Sequence, residues 1–98
     1  MTPQQRYGPT GKLIFAQGRG ITEDGKREED RYQVVDRVGM EQQTYTIHNG
    51  DVISVRRRGR WVDLQCWSDG EQWQFKRLVS QRQIEYSPVQ LPARVRIS

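Results

Sequence analysis

Short runs of alternating apolar and polar residues fill the centre of this 98-residue chain, separated by Asn49-Gly50, Arg58-Gly59 and Asp69-Gly70. A period of two marks a half-buried strand, and such two-residue signals close hairpins. Thr44 to His48 sets Tyr45 and Ile47 on one side. Asp51 to Arg57 groups Ile53 with Val55 and puts Val52, Ser54 and Arg56 opposite. Arg60 to Trp67 separates Val62, Leu64 and Cys66 from Trp61, Asp63, Gln65 and Trp67. Glu71 to Val79 returns with Trp73, Phe75 and Val79 facing one way. The pattern predicts an antiparallel meander over 43–79, with Asn49-Gly50 suited to the positive φ values of a type I′ hairpin turn.

On the N-terminal side, Met1 to Gly11 holds Pro3, Pro9, Gly8 and Gly11 and reads as an irregular lead-in. Lys12 to Gln17 is β-branched and aromatic enough for a strand. Gly18 to Arg31 is charged and nearly free of apolar residues, which predicts a long solvated hairpin tip at 18–31. Tyr32 to Val38 is its return strand, with Tyr32, Val34 and Val38 on one face. On the C-terminal side, Ser80 to Glu85 reads as a short helical or 3₁₀ turn, and Pro88 and Pro92 interrupt regular structure. Ala93 to Ser98 alternates as a closing strand, Val95 and Ile97 inward, Arg94 and Arg96 outward. The expectation is a single all-β domain over 1–98, a small SH3-like or Sm-like barrel whose closure hides strand edges.

Composition narrows the chemistry. With 34% apolar residues and a mean hydropathy of −0.93, the interior must be thin. One cysteine, Cys66, excludes an intramolecular disulfide framework and suits a reducing cytosol. No apolar run reaches the length of a membrane span, so a cytoplasmic protein without a membrane partner is expected. His48 is the only histidine, and Cys66 lies on a core face, so no standard metal site is expected. No glycine-rich phosphate loop leads into a helix, and no cofactor is expected.

Charge changes the picture more. The net charge is +4, yet residues 1–51 hold seven Lys/Arg against eight Asp/Glu, and residues 52–98 hold nine against four. Thirteen of the sixteen cations are arginine, the side chain whose rigid fork grips phosphate or carboxylate with two bonds. The densest feature is Arg56-Arg57-Arg58-Gly59-Arg60 at a hairpin tip, followed at once by Trp61. Clustered guanidinium groups repel one another, and a polyanion relieves the repulsion. An indole beside arginines can stack a base while its phosphates are held. Lys76 and Arg77 on the next strand extend the patch. The plainer reading is a solvated tip whose arginines pair with Asp63, Asp69 or Glu71. At least one of Trp61 and Trp67 is expected to pack, and one left on the outer face would mark a binding patch.

From Ile47 to Leu78 the order Gly50-Asp51, then Val52, Ile53 and Val55, then Gly59 with Trp61, then Asp69-Gly70 and Trp73 resembles a family of short bacterial proteins of unknown function. The likeness covers about a third of the chain. It implies a small SH3-like or Sm-like barrel of the kind found among mobile-element and accessory genes, and it implies no active site.

These readings lead to a non-enzymatic barrel that binds nucleic acid, DNA or RNA, through its phosphates, as an accessory subunit of a larger bacterial complex. Arg56, Arg57, Arg58 and Arg60 grip phosphate, Lys76 and Arg77 flank them, and Trp61 stacks. The alternative is a protein-interaction module docking on a larger complex without nucleic-acid contact, with Sm-type self-association as a variant of it. A third reading, an RNA-cutting site from Arg56, Ser54 and Asp51, has no matching motif behind it.

Overall fold

The computed structural model describes residues 7–18, 20, 21, 23–26, 30–38, 41–70 and 72–96. They form seven antiparallel strands: β1 (Tyr7–Ala16), β2 (Arg31–Val38), β3 (Glu41–Thr46), β4 (Val52–Arg57), β5 (Arg60–Ser68), β6 (Trp73–Arg77) and β7 (Pro92–Arg96). All seven belong to one sheet, in the order β3-β2-β1-β7-β4-β5-β6. Several positions given a place from the sequence lie outside the described residues: Met1 to Arg6, Arg27 to Glu29, Glu71, Ile97 and the side chain of Val38.

The chain is all-β, as its alternation predicts, but the ladder is not closed into a barrel. Strands β3 and β6 end the sheet. The two ends are drawn together by side chains instead. Tyr32 of β2 sets its ring edge-on to Phe75 and Trp73 of β6, at centroid distances of 5.0 and 6.1 Å. Trp73 Nε1 donates to the carbonyl of Asp30 at 3.4 Å. The free edge of β6 is already taken by its own continuation. Arg77 N–H donates to the Arg82 carbonyl, Ile84 N–H donates to the Phe75 carbonyl, and Gln83 bridges to Lys76. Within the stretch expected to be a helical turn, Ser80 lies in a turn closed by Gln81 N–H to the Arg77 carbonyl at 2.8 Å, and Arg82 to Ile84 run back along β6, where their bonds occupy the edge that closure requires.

The C-terminal strand departs most from a local reading. β7 lies between β1 and β4, and joins the two halves of the sheet. The meander over 43–79 therefore breaks at Asn49-Gly50. β3 pairs with β2, whereas β4 pairs with β5 and β7, so this turn links non-adjacent strands rather than closing a hairpin. β7 also converts the irregular lead-in into strand: Tyr7, Thr10, Gly11 and Lys12 pair with Arg96, Arg94, Ala93 and Pro92. Pro9 is accommodated because the register shifts between Tyr7 and Thr10, where no ladder donor is demanded. Pro92 opens its strand, another position where a missing N–H is tolerated.

The core is the concave face: Leu13, Val34, Ile47, Ile53, Val55, Leu64, Cys66, Phe75, Ala93 and Val95 are buried. Each alternating set assigned inward supplies members of it, with Tyr32, Tyr45, Val62 and Trp73 packed at the margin. Val79 is the exception. It is 96% exposed, because β6 ends at Arg77 and the chain turns before the alternation can return it inward. Cys66 is fully buried, and desolvation, with a smaller contribution from Asp51, pushes its thiol well above the ordinary 9.0.

Candidate nucleic-acid interface

The arginine cluster sits at the β4–β5 hairpin, whose register runs from Val52↔Gln65 to Arg57↔Arg60. Two residues close it, Arg58 at φ 53° and Gly59 at φ 76°, the two positive values of a type I′ turn. Glycine adopts that region freely, but for an arginine it costs about 1–2 kcal/mol. The tip thus holds a bulky cation where Asn or Gly is the ordinary choice.

Strand alternation divides the cluster between two faces. Arg56 faces outward beside its cross-strand partner Trp61. Arg57 and Arg60 share the inward parity of Val55 and Val62, but they lie beyond the end of the core. There the Arg57 guanidinium covers the ring of Tyr86 at 3.8 Å. Lys76 and Arg77 divide in the same way. Lys76 pairs with outward-facing Gln65, and Arg77 pairs with Leu64 and reaches the open end of the core.

The inward set forms one shallow groove. Arg57, Arg58, Arg60 and Arg77 line it together with Asp63, Trp61, Val79 and Tyr86. An adjoining groove shares Arg57, Arg77 and Tyr86 and adds Arg82, Ile84 and Glu85. Among the described residues, no carboxylate comes within ion-pair distance of Arg56, Arg57, Arg58, Arg60, Lys76 or Arg77. Asp63 is engaged by the hydroxyl of Ser54, which donates to its Oδ1. Asp69 accepts the backbone N–H of Gln72 at 2.8 Å. Asp63 is thus fixed by the neighbouring strand, and Asp69 accepts within its own turn.

Both indoles assigned to the outer face of β5 stay partly in solvent, Trp61 at 38% and Trp67 at 44% exposure. Trp61 is not free on both sides. The guanidinium of Arg94 lies over its ring at 4.1 Å and over the ring of Tyr7 at 3.6 Å. Reasoning from the sequence left Arg94, Tyr7, Arg82 and Tyr86 out of the site. The outward direction of Arg94 was legible in the tail's alternation, but its neighbours depend on β7 pairing with β1 and β4.

Arg56, Ser54 and Asp51 are not brought together. Ser54 is fully buried with its hydroxyl directed to Asp63. Asp51 instead stabilises the turn before β4, where its Oδ2 accepts the His48 N–H at 2.8 Å and the Tyr45 O–H at 3.3 Å. Burial, and then the charge of Asp51, raise the Tyr45 hydroxyl above its ordinary value. Among the described residues, no group of three His, Cys, Asp or Glu side chains is placed to hold a metal ion, and no helix is long and apolar enough to cross a membrane.

No family model matches this chain, and neither the curated proteins nor the solved structures hold a significant match to it. The likeness carried by Gly50-Asp51, Gly59 with Trp61, and Trp73 rests on those residues alone.

Proposed function

We propose that this protein is a non-enzymatic module that binds nucleic acid through its phosphate backbone, as an accessory subunit of a larger bacterial nucleoprotein complex. The observation that carries the reading is the arginine-rich groove, where four guanidinium groups share the lining with one carboxylate, Asp63, whose oxygen accepts the Ser54 O–H. Arg57, Arg58, Arg60 and Arg77 converge on it, with no carboxylate of the described chain at ion-pair distance. Four guanidinium groups so close raise a positive potential that a polyanion lowers by releasing its counterions. The stack of Arg57 on Tyr86 orients one planar donor edge, which reduces the ordering cost of gripping a phosphate. Arg56 and Lys76 extend the charge around the outer face. Contacts of this kind position a backbone and carry little base specificity.

Fluorescence anisotropy of a labelled oligonucleotide tests the reading. For four or five phosphates contacted, affinity falls roughly 50- to 500-fold between 50 and 200 mM salt. Arg57→Glu with Arg58→Glu removes most of the binding at low salt. Absence of binding at low salt, or binding indifferent to that double substitution, refutes it.

One observation favours a second reading, docking on a protein. Strand β3 ends the sheet, and Glu41 to Thr44 are exposed, so its outer edge is open to strand addition among the described residues. Co-purification with a protein that survives nuclease treatment would favour this reading, and size-exclusion chromatography would test its self-association variant.

A further inference from the structure

We propose that the polyanion is single-stranded and that it continues from the arginine groove onto the outer face of β7, β4 and β5, where Arg94 holds a phosphate and Trp67 stacks an unpaired base. The inference rests on the nucleic-acid reading above and specifies its ligand.

Arg94 is the centre of the argument. Its guanidinium is clamped between two rings, Tyr7 at 3.6 Å and Trp61 at 4.1 Å, so its plane is fixed before any ligand arrives. Its Nε is buried and donates to nothing in the described chain. A guanidinium whose plane is fixed in this way offers its terminal N–H groups for parallel bonds to one anion. A phosphate oxygen suits a guanidinium edge of this kind.

The surrounding face fits the same ligand. Across the sheet, Arg94 lies opposite Ser54, and Ser54 lies opposite Asp63, while Arg56 lies opposite Trp61. Asp63 is the acidic residue of this row, and the buried hydroxyl of Ser54 holds it rather than a guanidinium. The outer face therefore carries Arg94 and Arg56 beside a single carboxylate, Asp63, whose position the Ser54 hydroxyl fixes.

Two indoles then mark the length of the track. Trp61 and Trp67 share the outward parity of β5, and their Cα positions are about 20 Å apart at the rise of a strand. Trp61 also lines the arginine groove, so groove and face meet at its ring. Exposed indoles on a basic sheet face are stacking platforms for bases. A duplex keeps its bases stacked on one another and cannot offer their faces, whereas an unpaired strand can. A track of this length corresponds to the lower part of the roughly 4–16 nucleotides held by small β-barrel single-strand binders.

The test compares a labelled 12-nucleotide single strand with the duplex of the same sequence at low salt, using wild type, Trp67→Ala, Trp67→Phe and Arg94→Lys. The expected result is tighter binding of the single strand by about tenfold or more. Trp67→Ala lowers single-strand affinity about tenfold, and Trp67→Phe restores most of it because the ring is retained. Arg94→Lys keeps the charge but loses the planar fork and the stack. It lowers single-strand affinity while the salt slope stays the same. Equal or tighter binding of the duplex overturns the inference. So does single-strand affinity unchanged by both Trp67→Ala and Arg94→Lys. Duplex binding that still depends on Arg57 and Arg58 would leave the nucleic-acid reading standing while ending this one, and no binding to either oligonucleotide would end both.

Discussion

Tyr32 of β2 meets Phe75 of β6 edge to face, ring centroids 5.0 Å apart, although β2 and β6 lie in opposite halves of the sheet and are not neighbours in its ladder. The seam continues through Phe15 and Trp73, which pack on the same tyrosine at 5.2 and 6.1 Å. Aromatic contact thus does the work that backbone hydrogen bonds do in a closed barrel. Edge-to-face pairs contribute about 0.5–1.5 kcal/mol beyond the area they bury. Tyr32→Leu should destabilise the fold by roughly 2–3 kcal/mol. A double-mutant cycle of Tyr32→Leu with Phe75→Leu in urea unfolding should show a coupling of about 1 kcal/mol. Additivity of the two substitutions would remove the seam from the account.

Gly11 is where β1 leaves β2 and turns onto β7. A Cβ there would stand 2.0 Å from the carbonyl oxygen of Val35, which is backbone and cannot swing aside. Gly11→Ala should therefore cost about 3 kcal/mol or more, among the larger effects of a single substitution. A thermal melt within two degrees of wild type would show that the strand crossing tolerates more room than its geometry indicates.

The hairpin tip sets binding against stability. Arg58 holds a left-handed conformation at φ 53°. Arg58→Asn should raise unfolding stability by about 0.5–1 kcal/mol, because asparagine enters that region at lower cost. The same change removes one guanidinium from the groove and should weaken oligonucleotide binding with a shallower salt slope. Denaturant unfolding and anisotropy on the one variant read both effects. Gly59→Ala, at φ 76°, should destabilise by about 1 kcal/mol and leave the charge untouched.

Cys66 links stability to alkaline pH. Burial raises its thiol pKa above the unfolded value of 9.0, and burial raises Tyr32 and Tyr45 above 10.0, with Asp30 and Asp51 adding to the effect. Groups raised in the folded state keep their protons there while the unfolded chain loses them. Their contribution is complete below the unfolded pKa and is lost as pH climbs toward the folded values. Stability should be level through neutral pH and decline from about pH 9 upward. Native protein should react with a thiol reagent only as fast as it opens, and denatured protein at once. Rapid labelling of the folded protein at pH 8 would contradict the burial.

Much of the site was legible from local pattern, within a clear limit. The arginine tip, the Arg58-Gly59 turn and the outward parity of Trp61 and Trp67 follow from alternation and turn chemistry, and these are interactions between near neighbours. The separation of Arg56 from Arg57 is implicit in the same alternation. What the patch reading passed over is that consecutive cations on a strand cannot share a face. Tyr86 and Arg82 reach the groove through the run that doubles back along β6, and nothing in their local composition distinguishes them from any other loop.

Period-two patterning was enough to establish strands, inward residues and a basic second half, because side-chain parity and turn propensity are properties of a few adjacent residues. It could not say which strands become neighbours. The place of β7 between β1 and β4 is a choice among long-range pairings of similar local quality, made by burying Ala93 and Val95 against Leu13, Ile53 and Val55 in one interior. That choice joined the two halves of the sheet, broke the meander at Asn49-Gly50 and carried Arg94 between Tyr7 and Trp61. Cooperative packing of the whole chain settles such matters, since each pairing gains its stability only when the others are present.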